Sequence, residues 1–390
     1  MKMNENNINY LLSEVVDDGF MLPDCGKVSQ LLLSTLRISD EFKAMYGNYI
    51  LDNYPTGAGV RDAIEVLKKY KKLDDVNITD HRDAIVDFIY SKSVLGFSNW
   101  EYFAYGLENK TIDEKLEFMK NSNIFRYYKA LNTDIRDIRT LGSKYLTYTH
   151  FAPFFKREVI RVRNQSDKSL LQSFASRHSS FMVKPVAAAM GRGIQIVNVS
   201  DYSSFDEMYV DVFQGGSFVC EELITPHESF VQINPGCVNT VRIFTYFNGM
   251  DTNIVCAWMK AGRADAVVDN AGAGGMLAAI DETTGIVITG AADEQGGVYP
   301  VHPETGFVFK GFQIPQWDEA INIVKTMASH LPGVAMIGWD LALSADKGWQ
   351  VIEGNEGGQV NLIQIPHKKG MLNELTERFE WKKNRRHLRR

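Results

Sequence analysis

The chain has 390 residues, which is long enough for two or three domains that each bury their own core. Hydrophobic residues make up 45% of the sequence and charged residues 23%, an ordinary globular composition that argues against intrinsic disorder. The formal net charge of −6 argues against a whole-molecule nucleic-acid binder, although it does not exclude local basic sites.

Nothing in the sequence predicts a targeting or membrane segment. The start of the chain lacks the apolar core of a signal peptide, and no later stretch approaches the roughly 18 uninterrupted apolar residues of a membrane span. Four cysteines, Cys25, Cys220, Cys237 and Cys256, show no metal-type spacing, so we expect reduced thiols. These features predict a soluble, cytoplasmic protein.

The first part of the chain has a mainly helical pattern. Apolar residues recur with helical period between residues 60 and 89. Two segments, Ser98–Glu101 and Thr111–Glu114, fit the capping box, in which a hydroxyl and a carboxylate satisfy free backbone N–H groups at a helix start. We therefore predict a mainly helical N-terminal region over residues 1–139.

A change in pattern near residue 140 predicts a second region. From Phe151 onward, short β-rich runs alternate with helices and glycine becomes frequent, which predicts a mixed α/β domain over residues 140–370. The remaining residues, 371–390, end in a basic tail. Most such tails are solvated, although one could contact an acidic polymer or a membrane surface.

A loop of small residues, Ala187–Gly193, lies between two predicted strands, residues 181–185 and 193–197. Small side chains let backbone N–H groups approach an anion, and Lys184 and Arg192 add positive charge beside them. Such a loop can close over phosphates. An ordinary hairpin loop explains the same residues, and the pattern alone does not decide between the two.

Charged residues also stand within predicted strands. The strand 218–224 contains adjacent Glu221 and Glu222, and because strand side chains alternate, one of them can face solvent while the other caps the sheet edge. Arg242 lies in the strand 239–247 among apolar neighbours, where a lone guanidinium is costly to bury. We therefore expect Arg242 to face an anion or a carboxylate, with a purely structural ion pair as the alternative.

A second glycine-rich loop, Asp269–Gly275, follows the predicted strand Ile254–Lys260 and Arg263. Its length suits a mobile cover or an anion cradle, and a plain flexible connection explains it as well. An amphipathic helix over residues 316–331 then leads into the last motif.

The stretch 337–355 reads as two strands joined by a tight turn, so it predicts a β-hairpin. If Ser344 and Trp349 close the turn, antiparallel pairing places Asp340 opposite Glu353. Side chains at such paired positions have Cβ atoms roughly 5 Å apart.

These two carboxylates predict a metal site. Asn355 follows Glu353 on the same face of its strand. Like-charged carboxylates at this spacing repel each other unless a cation or a proton lies between them, and Asp, Glu and Asn oxygens are ligands that Mg²⁺ accepts. A solvated hairpin with scattered acids is the alternative, but Asp340 is flanked by Trp339 and Leu341 rather than by polar residues.

Several separate motifs occur in one order along the chain, and this order resembles the ATP-grasp superfamily. The motifs are Lys184, Gly191-Arg-Gly193, Glu221-Glu-Leu-Ile224, Arg242, Asp340 and Glu353-x-Asn355. The closer resemblance, over about residues 95–365, is to the sugar-transfer-associated ATP-grasp proteins. It is carried by Asn239-Thr-Val-Arg242, Gly262-Arg263, Val268-Asp-Asn270, His302-Pro-Glu-Thr-Gly306, Gly338-Trp-Asp340 and Glu353-Gly-Asn355.

The resemblance implies an ATP-grasp fold of the α/β (α+β) class, in which two α+β subdomains enclose ATP after a mainly helical N-terminal region. It implies that Lys144 and Lys184 contact the ATP phosphates. A flexible loop above the phosphates would contain Gly191, Arg192 and Gly193.

The resemblance also implies how the nucleoside is held. The adenine-binding hinge would comprise Glu221, Glu222, Leu223 and Ile224, which act largely through backbone groups. Glu228, which follows the hinge, resembles the ribose-binding acid.

For the metal and the chemistry, the resemblance implies that the Mg²⁺ ions bridging the ATP phosphates are bound by Asp340, Glu353 and Asn355. Arg242 resembles the cation that steadies the transferred phosphoryl group, and Lys260 and Arg263 complete the catalytic set. Lys260 stands where the subfamily pattern leads us to expect arginine. A point charge there replaces a planar bidentate contact, which puts acceptor specificity rather than ATP binding in question.

The usual chemistry of the superfamily, as the resemblance implies it, is attack of a carboxylate on the γ-phosphate to give an acylphosphate and ADP, followed by attack of an amine. Such phosphoryl transfer needs positioning and charge neutralisation rather than a protein nucleophile. We therefore expect a ligase that uses ATP and Mg²⁺ to join a free or sugar-linked carboxylate to an amine. A role in cell-surface polysaccharide biosynthesis follows from family association alone. The alternatives are an ATP-grasp phosphotransferase that acts on a hydroxyl and a nucleotide-binding scaffold without turnover.

Overall fold

The computed structural model describes residues 38–186, 193–213, 216–263, 269, 272 and 274–380. The predictions for Cys25, for residues 187–192 of the small-residue loop including Gly191 and Arg192, for residues 270, 271 and 273 of the second loop, and for the basic tail from residue 381 onward lie outside these residues. The chain divides into two compact units between Ser122 and Asn123.

The first unit is helical, as predicted. Its helices are α1 (Asp40–Asn53), α2 (Ala58–Lys71), α3 (Arg82–Ser93), α4 (Asn99–Ala104) and α5 (Ile112–Leu116). Both predicted capping boxes are present. The core of this unit contains an ion pair in which Lys115, fully buried, donates to both carboxylate oxygens of Asp87 at 2.6 Å.

The second unit combines helices with two sheets. Helix α6 (Asn121–Leu131) begins two residues before the boundary. The other helices of this unit are α7 (Ile135–Leu141), α8 (Lys144–Phe155), α9 (Lys168–Ala175), α10 (Phe205–Val212), α11 (Glu228–Val231), α12 (Trp317–Ser329), α13 (Gln364–His367) and α14 (Leu372–Arg378). Its strands are β1 (Val159–Val162), β2 (Ser180–Pro185), β3 (Gln195–Asn198), β4 (Phe218–Glu222), β5 (Thr240–Phe247), β6 (Thr252–Ala261), β7 (Met276–Ile280), β8 (Val287–Ala292), β9 (Val298–Tyr299), β10 (Met336–Ser344) and β11 (Gly348–Asn355).

Both sheets are antiparallel. The small sheet has the strand order β1-β4-β2-β3, and the large sheet has the order β11-β10-β5-β6-β7-β8-β9. The predicted amphipathic helix is α12, whose apolar residues Val324 and Met327 are fully buried in the core of the large sheet. The mixed α and β class is therefore confirmed. Within the described ranges, no helix combines the length and the apolar character that crossing a membrane requires.

The predicted hairpin is formed by β10 and β11, but its turn differs from the prediction. Ser344 pairs with Gly348 rather than with Trp349, which shifts the register by one residue near the turn. A β-bulge restores it: Leu341 pairs with Val351 while Asp340 pairs with Glu353, so Ile352 has no partner across the strand. Without the bulge, Glu353 would lie on the opposite face from the one that Asp340 occupies.

Candidate functional site

Asp340 lies in the middle of β10, a strand whose residues are all buried. This strand pairs with β11 on one side and with β5 on the other, so Asp340 is opposite Glu353 and also opposite Arg242. The guanidinium Nε of Arg242 donates to Asp340 Oδ1 at 2.6 Å, and its Nη2 contacts Oδ2. Arg242 therefore faces a carboxylate, as both the functional interpretation and the structural ion pair predict, and the bidentate geometry makes this a strong pair.

Lys260 supplies a second cation from the next strand, β6. Its Nζ lies 3.1 Å from Asp340 Oδ2 and 3.5 Å from the carboxylate of Asp269. Asp269 in turn accepts hydrogen bonds from the backbone N–H and the hydroxyl of Thr240 at 2.7 and 2.6 Å. Three adjacent strands of the large sheet therefore contribute to one buried charge network.

The network keeps Asp340 ionised. Burial by itself would raise the pKa of Asp340, but Arg242 and Lys260 outweigh it and hold this pKa well below its usual range. Burial would likewise lower the pKa of Arg242, and Asp340 more than reverses that effect. Both groups are therefore charged at any working pH.

Glu353 and Asn355 form the accessible side of this network. The Glu353 side chain is 39% exposed and its Oε1 lies 3.8 Å from Arg242 Nη2. Asn355 Nδ2 donates to the same oxygen at 3.1 Å, so the two side chains lie together on one face of β11, as the alternation of the strand predicts.

The oxygen atoms of Asp340, Glu353 and Asn355 suit a hard cation. Among the described residues, no group of three or more His, Cys, Asp or Glu side chains is arranged to hold a metal, and this set has only two carboxylates and one amide. Mg²⁺ commonly uses one or two carboxylates and keeps several waters. An ionised carboxylate offers about four acceptor positions, and the two cations occupy three of those on Asp340.

A second network of the same kind lies in the small sheet. Lys184, on β2, has its Nζ 2.8 Å from Oε1 of the buried Glu221 on β4. Arg157 donates to Glu221 Oε2 through Nε at 3.0 Å and Nη2 at 2.7 Å, and to the carbonyl of Val351 at 2.7 Å. Burial would raise the pKa of Glu221, but Lys184 and Arg157 lower it to about 2.

Arg157 is a residue that the sequence analysis missed. It precedes β1 in a segment with no motif, and the only signal was indirect, since a buried Glu221 needs cationic partners. Its side chain is almost entirely buried and its guanidinium stacks 4.8 Å from the ring centre of Phe155.

The segment that follows β4 is attached to the turn of the hairpin. The N–H of His227 donates to the carbonyl of Leu343, and the N–H of Ala345 donates to the carbonyl of Thr225, both at 2.9 Å. Glu222 accepts from Lys347 at 2.6 Å and from the backbone N–H of Glu158 at 3.0 Å. The side chains of Glu221 and Glu222 therefore both have internal partners.

Of the other residues in the predicted nucleotide site, Leu223 and Ile224 are half-buried and Glu228 is exposed at the start of α11. Lys144 is the first residue of α8, after the N-cap residue Ser143. Gly193 has a φ of +70°, and a Cβ there would come within 3.0 Å of the Pro185 ring, so glycine is required at this end of the loop.

Arg263 belongs to a different cluster from Arg242 and Lys260. Its Nη1 donates to the hydroxyl of Tyr299 at 3.1 Å and its guanidinium lies 4.9 Å from the centre of that ring. Its Nε is 3.6 Å from Glu304 Oε1. Glu304 lies in the motif His302-Pro-Glu-Thr-Gly306, and the motif alone gives this residue no role.

Comparison with known proteins gives one extended match. A model of the family described as sugar-transfer-associated ATP-grasp matches residues 126–380. None of the curated proteins matches the sequence.

Solved structures show distant likeness. The ATP-grasp ligase PsnB, complexed with a phosphomimetic variant of its minimal precursor, Mg and ADP, has a TM-score of 0.41 and 13% identity over 67% of each chain. D-cycloserine synthetase DcsG has a TM-score of 0.38 and 15% identity over 74% of this chain and 82% of its own. D-alanyl-alanine synthetase A from Vibrio cholerae O1 biovar eltor has a TM-score of 0.37 and 9% identity over 62% and 65% of the two chains. The chain spans 61% of the length of PsnB complexed with its minimal precursor.

Proposed function

The chain belongs to the sugar-transfer-associated ATP-grasp family, and from this premise we propose that it is an ATP-dependent carboxylate-amine ligase that forms an amide through an acylphosphate. We propose that its substrates are a free or sugar-linked carboxylate and an amine, in the biosynthesis or modification of cell-surface polysaccharide. The observation that carries the proposal is the network in which Arg242 and Lys260 hold Asp340 ionised beside the accessible Glu353 and Asn355.

In this proposal, Asp340, Glu353 and Asn355 bind Mg²⁺. When bound, the metal supplies charge neutralisation for the ATP phosphates. Arg242 and Lys260 keep Asp340 in the charged form that a metal ligand needs. The 14% exposure of the Arg242 side chain leaves part of its guanidinium free to contact the transferred phosphoryl group.

Lys184 binds the ATP phosphates in this proposal. Lys184 pairs with Glu221, but Arg157 pairs with the same carboxylate through two hydrogen bonds. Lys184 can therefore turn toward a phosphate while Glu221 keeps a cationic partner, which avoids the cost of an unpaired buried charge.

The remaining nucleotide contacts are proposed from the family motifs. Lys144 and the loop Gly191–Gly193 would contact phosphates, the segment Glu221–Ile224 would hold adenine, and Glu228 would hold the ribose. The segment after β4 is fixed to the hairpin turn by two backbone hydrogen bonds, which supports a preorganised hinge. We also propose the limits 1–139, 140–370 and 371–390 for the helical region, the ATP-grasp domain and the tail.

The experiment that tests the ligase function is a turnover assay with trapping. Purified protein is incubated with Mg²⁺ and ATP, a panel of amino acids and uronic acids as carboxylates, and hydroxylamine as the trapping amine. We expect ADP release that depends on one class of carboxylate and yields a hydroxamate. ADP release without hydroxamate, with phosphate found on a hydroxyl, would favour a phosphotransferase. Nucleotide binding without ADP release across the panel would favour a scaffold.

A further inference from the structure

Two motif residues hold the backbone of Gly262, the residue before Arg263. The amide oxygen of Asn239 accepts from the N–H of Gly262 at 3.1 Å, and His302 Nε2 lies 2.9 Å from the carbonyl of Gly262. Asn239 and His302 are each only 1% exposed. Because both polar groups of this one peptide segment are fixed by buried side chains, the direction in which Arg263 leaves the end of β6 is fixed as well.

The hydrogen bond to Gly262 determines which nitrogen of His302 carries a proton. A carbonyl only accepts, so Nε2 must donate, and in a neutral imidazole Nδ1 is then an acceptor. Nδ1 lies 3.2 Å from Glu304 Oε2, which is also an acceptor, and it makes no hydrogen bond to any described residue. In this tautomer, the neutral His302 gives Glu304 Oε2 no donor.

The other oxygen of Glu304 is in a similar position. Arg263 Nε is buried, lies 3.6 Å from Glu304 Oε1 and makes no hydrogen bond within the described part of the chain. The Glu304 side chain itself is 37% exposed. Glu304 thus has two buried nitrogen neighbours, His302 Nδ1 and Arg263 Nε, and neither forms a hydrogen bond with it. The exposed part of its side chain can be reached by a ligand.

The charges around Glu304 favour a cationic ligand. Arg263 is also 3.9 Å from Asp293, so one guanidinium stands between two carboxylates and the cluster has an excess of one negative charge. Asp293 is buried and already accepts from the N–H groups of Gln295 and Gly297 and from the hydroxyl of Tyr299. Glu304 is therefore the carboxylate of this cluster that remains available to a donor from outside.

We propose that Glu304 binds the amino group of the acceptor co-substrate, and that His302 and Arg263 position its carboxylate. This inference rests on the proposed ligase function, which requires an amine as second substrate. A protonated primary amine brings a positive charge and three N–H donors to a carboxylate that accepts no hydrogen bond from the described residues and shares its one arginine neighbour with Asp293. Arg263 follows Lys260 by three residues, so the Cα atoms of these two residues are at most about 11 Å apart.

The test is binding of primary-amine probes, measured by ligand-observed NMR in the presence of Mg²⁺ and a non-hydrolysable ATP analogue. The probes are ethanolamine, alanine and glucosamine. We expect at least one to bind the wild-type protein and to bind Glu304→Gln about tenfold more weakly. Glu319→Gln is the matched control, because Glu319 is 41% exposed on α12. Its affinity for the probe should equal that of the wild type.

The proposal is wrong if no probe binds the wild type, or if Glu304→Gln binds as tightly as the control. Failure of the ligase function is recognised separately, because it appears as absence of hydroxamate from the wild-type protein in the trapping assay. Probe binding still decides the role of Glu304 in that case.

Two variants of His302 distinguish positioning from a general structural role. His302→Ala should weaken probe binding while the affinity for the ATP analogue stays unchanged. His302→Gln should restore part of the binding, because its amide nitrogen can donate to the carbonyl of Gly262 in place of Nε2. Equal losses of probe and nucleotide binding in both variants would show that His302 only supports the fold.

Discussion

Asp340 in the large sheet and Glu221 in the small sheet have the same kind of surroundings but opposite charge balance. Each carboxylate is buried and is held by one arginine and one lysine. Around Asp340, the carboxylates of Glu353 and Asp269 join the network, so that two cations face three acids. Around Glu221, two cations face one acid.

This difference suggests what each network can accept. An excess of negative charge beside accessible oxygens suits a divalent cation, whereas an excess of positive charge suits a phosphate. Neither buried pair alone is good evidence of function, since Asp87 and Lys115 form a comparable pair in the first unit. The two networks differ in the charge that has no opposite charge to balance it. This charge is the carboxylate of Glu353 in the Asp340 network and the second cation in the Glu221 network.

Among the substitutions that test the difference between the two networks, Asp340→Asn should have the largest effect on the free energy of unfolding. It replaces the carboxylate between two buried cations by an amide and leaves them only the longer contacts to Glu353 and Asp269, at 3.8 and 3.5 Å. Removal of one partner from a buried ion pair typically destabilises a protein by about 3–5 kcal/mol. We expect a loss of this size in the free energy of unfolding, measured with urea. A loss smaller than about 1 kcal/mol would mean that the Arg242 and Lys260 contacts contribute little.

Acid titration tests the second network. The pKa of Glu221 is about 2 in the folded protein, against an ordinary value of 4.5. Because the folded-state pKa is the lower one, the stabilisation is complete above about pH 4.5 and is lost as the pH falls toward 2; it amounts to about 3 kcal/mol. Glu221→Gln removes this contribution, so urea unfolding between about pH 5 and pH 3 should depend less on pH than in the wild type. Parallel pH profiles would contradict the prediction.

Lys184→Met reduces the charge of the small-sheet network without leaving a buried acid unpaired. Arg157 still pairs with Glu221, so we expect a loss of only about 1 kcal/mol in the free energy of unfolding. Affinity for ATP, measured by calorimetry, should fall about tenfold because one phosphate contact is lost. Lys156→Met is the control, since Lys156 pairs with Glu319. Equal nucleotide affinity in the two variants would remove Lys184 from the proposed site.

Local sequence patterns were sufficient for part of this arrangement. The capping boxes and the helical period predicted the helical character of the first unit. An assumed turn closure by Ser344 and Trp349 predicted the pairing of Asp340 with Glu353, and strand alternation predicted that Asn355 shares the face of Glu353. The reason given for that pairing was incomplete, because the turn closes at Gly348 and a bulge at Ile352 corrects the register. No glycine marks the bulge, so the sequence carried no clear signal for it.

Contacts between distant strands could not be predicted in the same way. Arg242 and Asp340 are 98 residues apart, and their pairing depends on the register of β5 against β10, which the packing of both sheet faces determines. The contact between Lys260 and Asp340 depends in addition on the register of β6 against β5. Arg157 lies before β1, so no strand register places it opposite Glu221, and their contact depends on the conformation of the segment that leads into the small sheet.

Glu353→Gln should change stability least and metal dependence most clearly. The Glu353 side chain is 39% exposed and its nearest cation is 3.8 Å away, so we expect a change within about 0.5 kcal/mol in the free energy of unfolding. The substitution removes one of the charges that give the Asp340 network its negative excess, and it keeps the shape of the side chain. The Mg²⁺ concentration that half-saturates ATP binding should therefore rise about tenfold or more, while Glu319→Gln leaves it unchanged. An unaltered Mg²⁺ requirement would show that the excess charge beside Asp340 is not a metal site, and the two networks would then differ in structure alone.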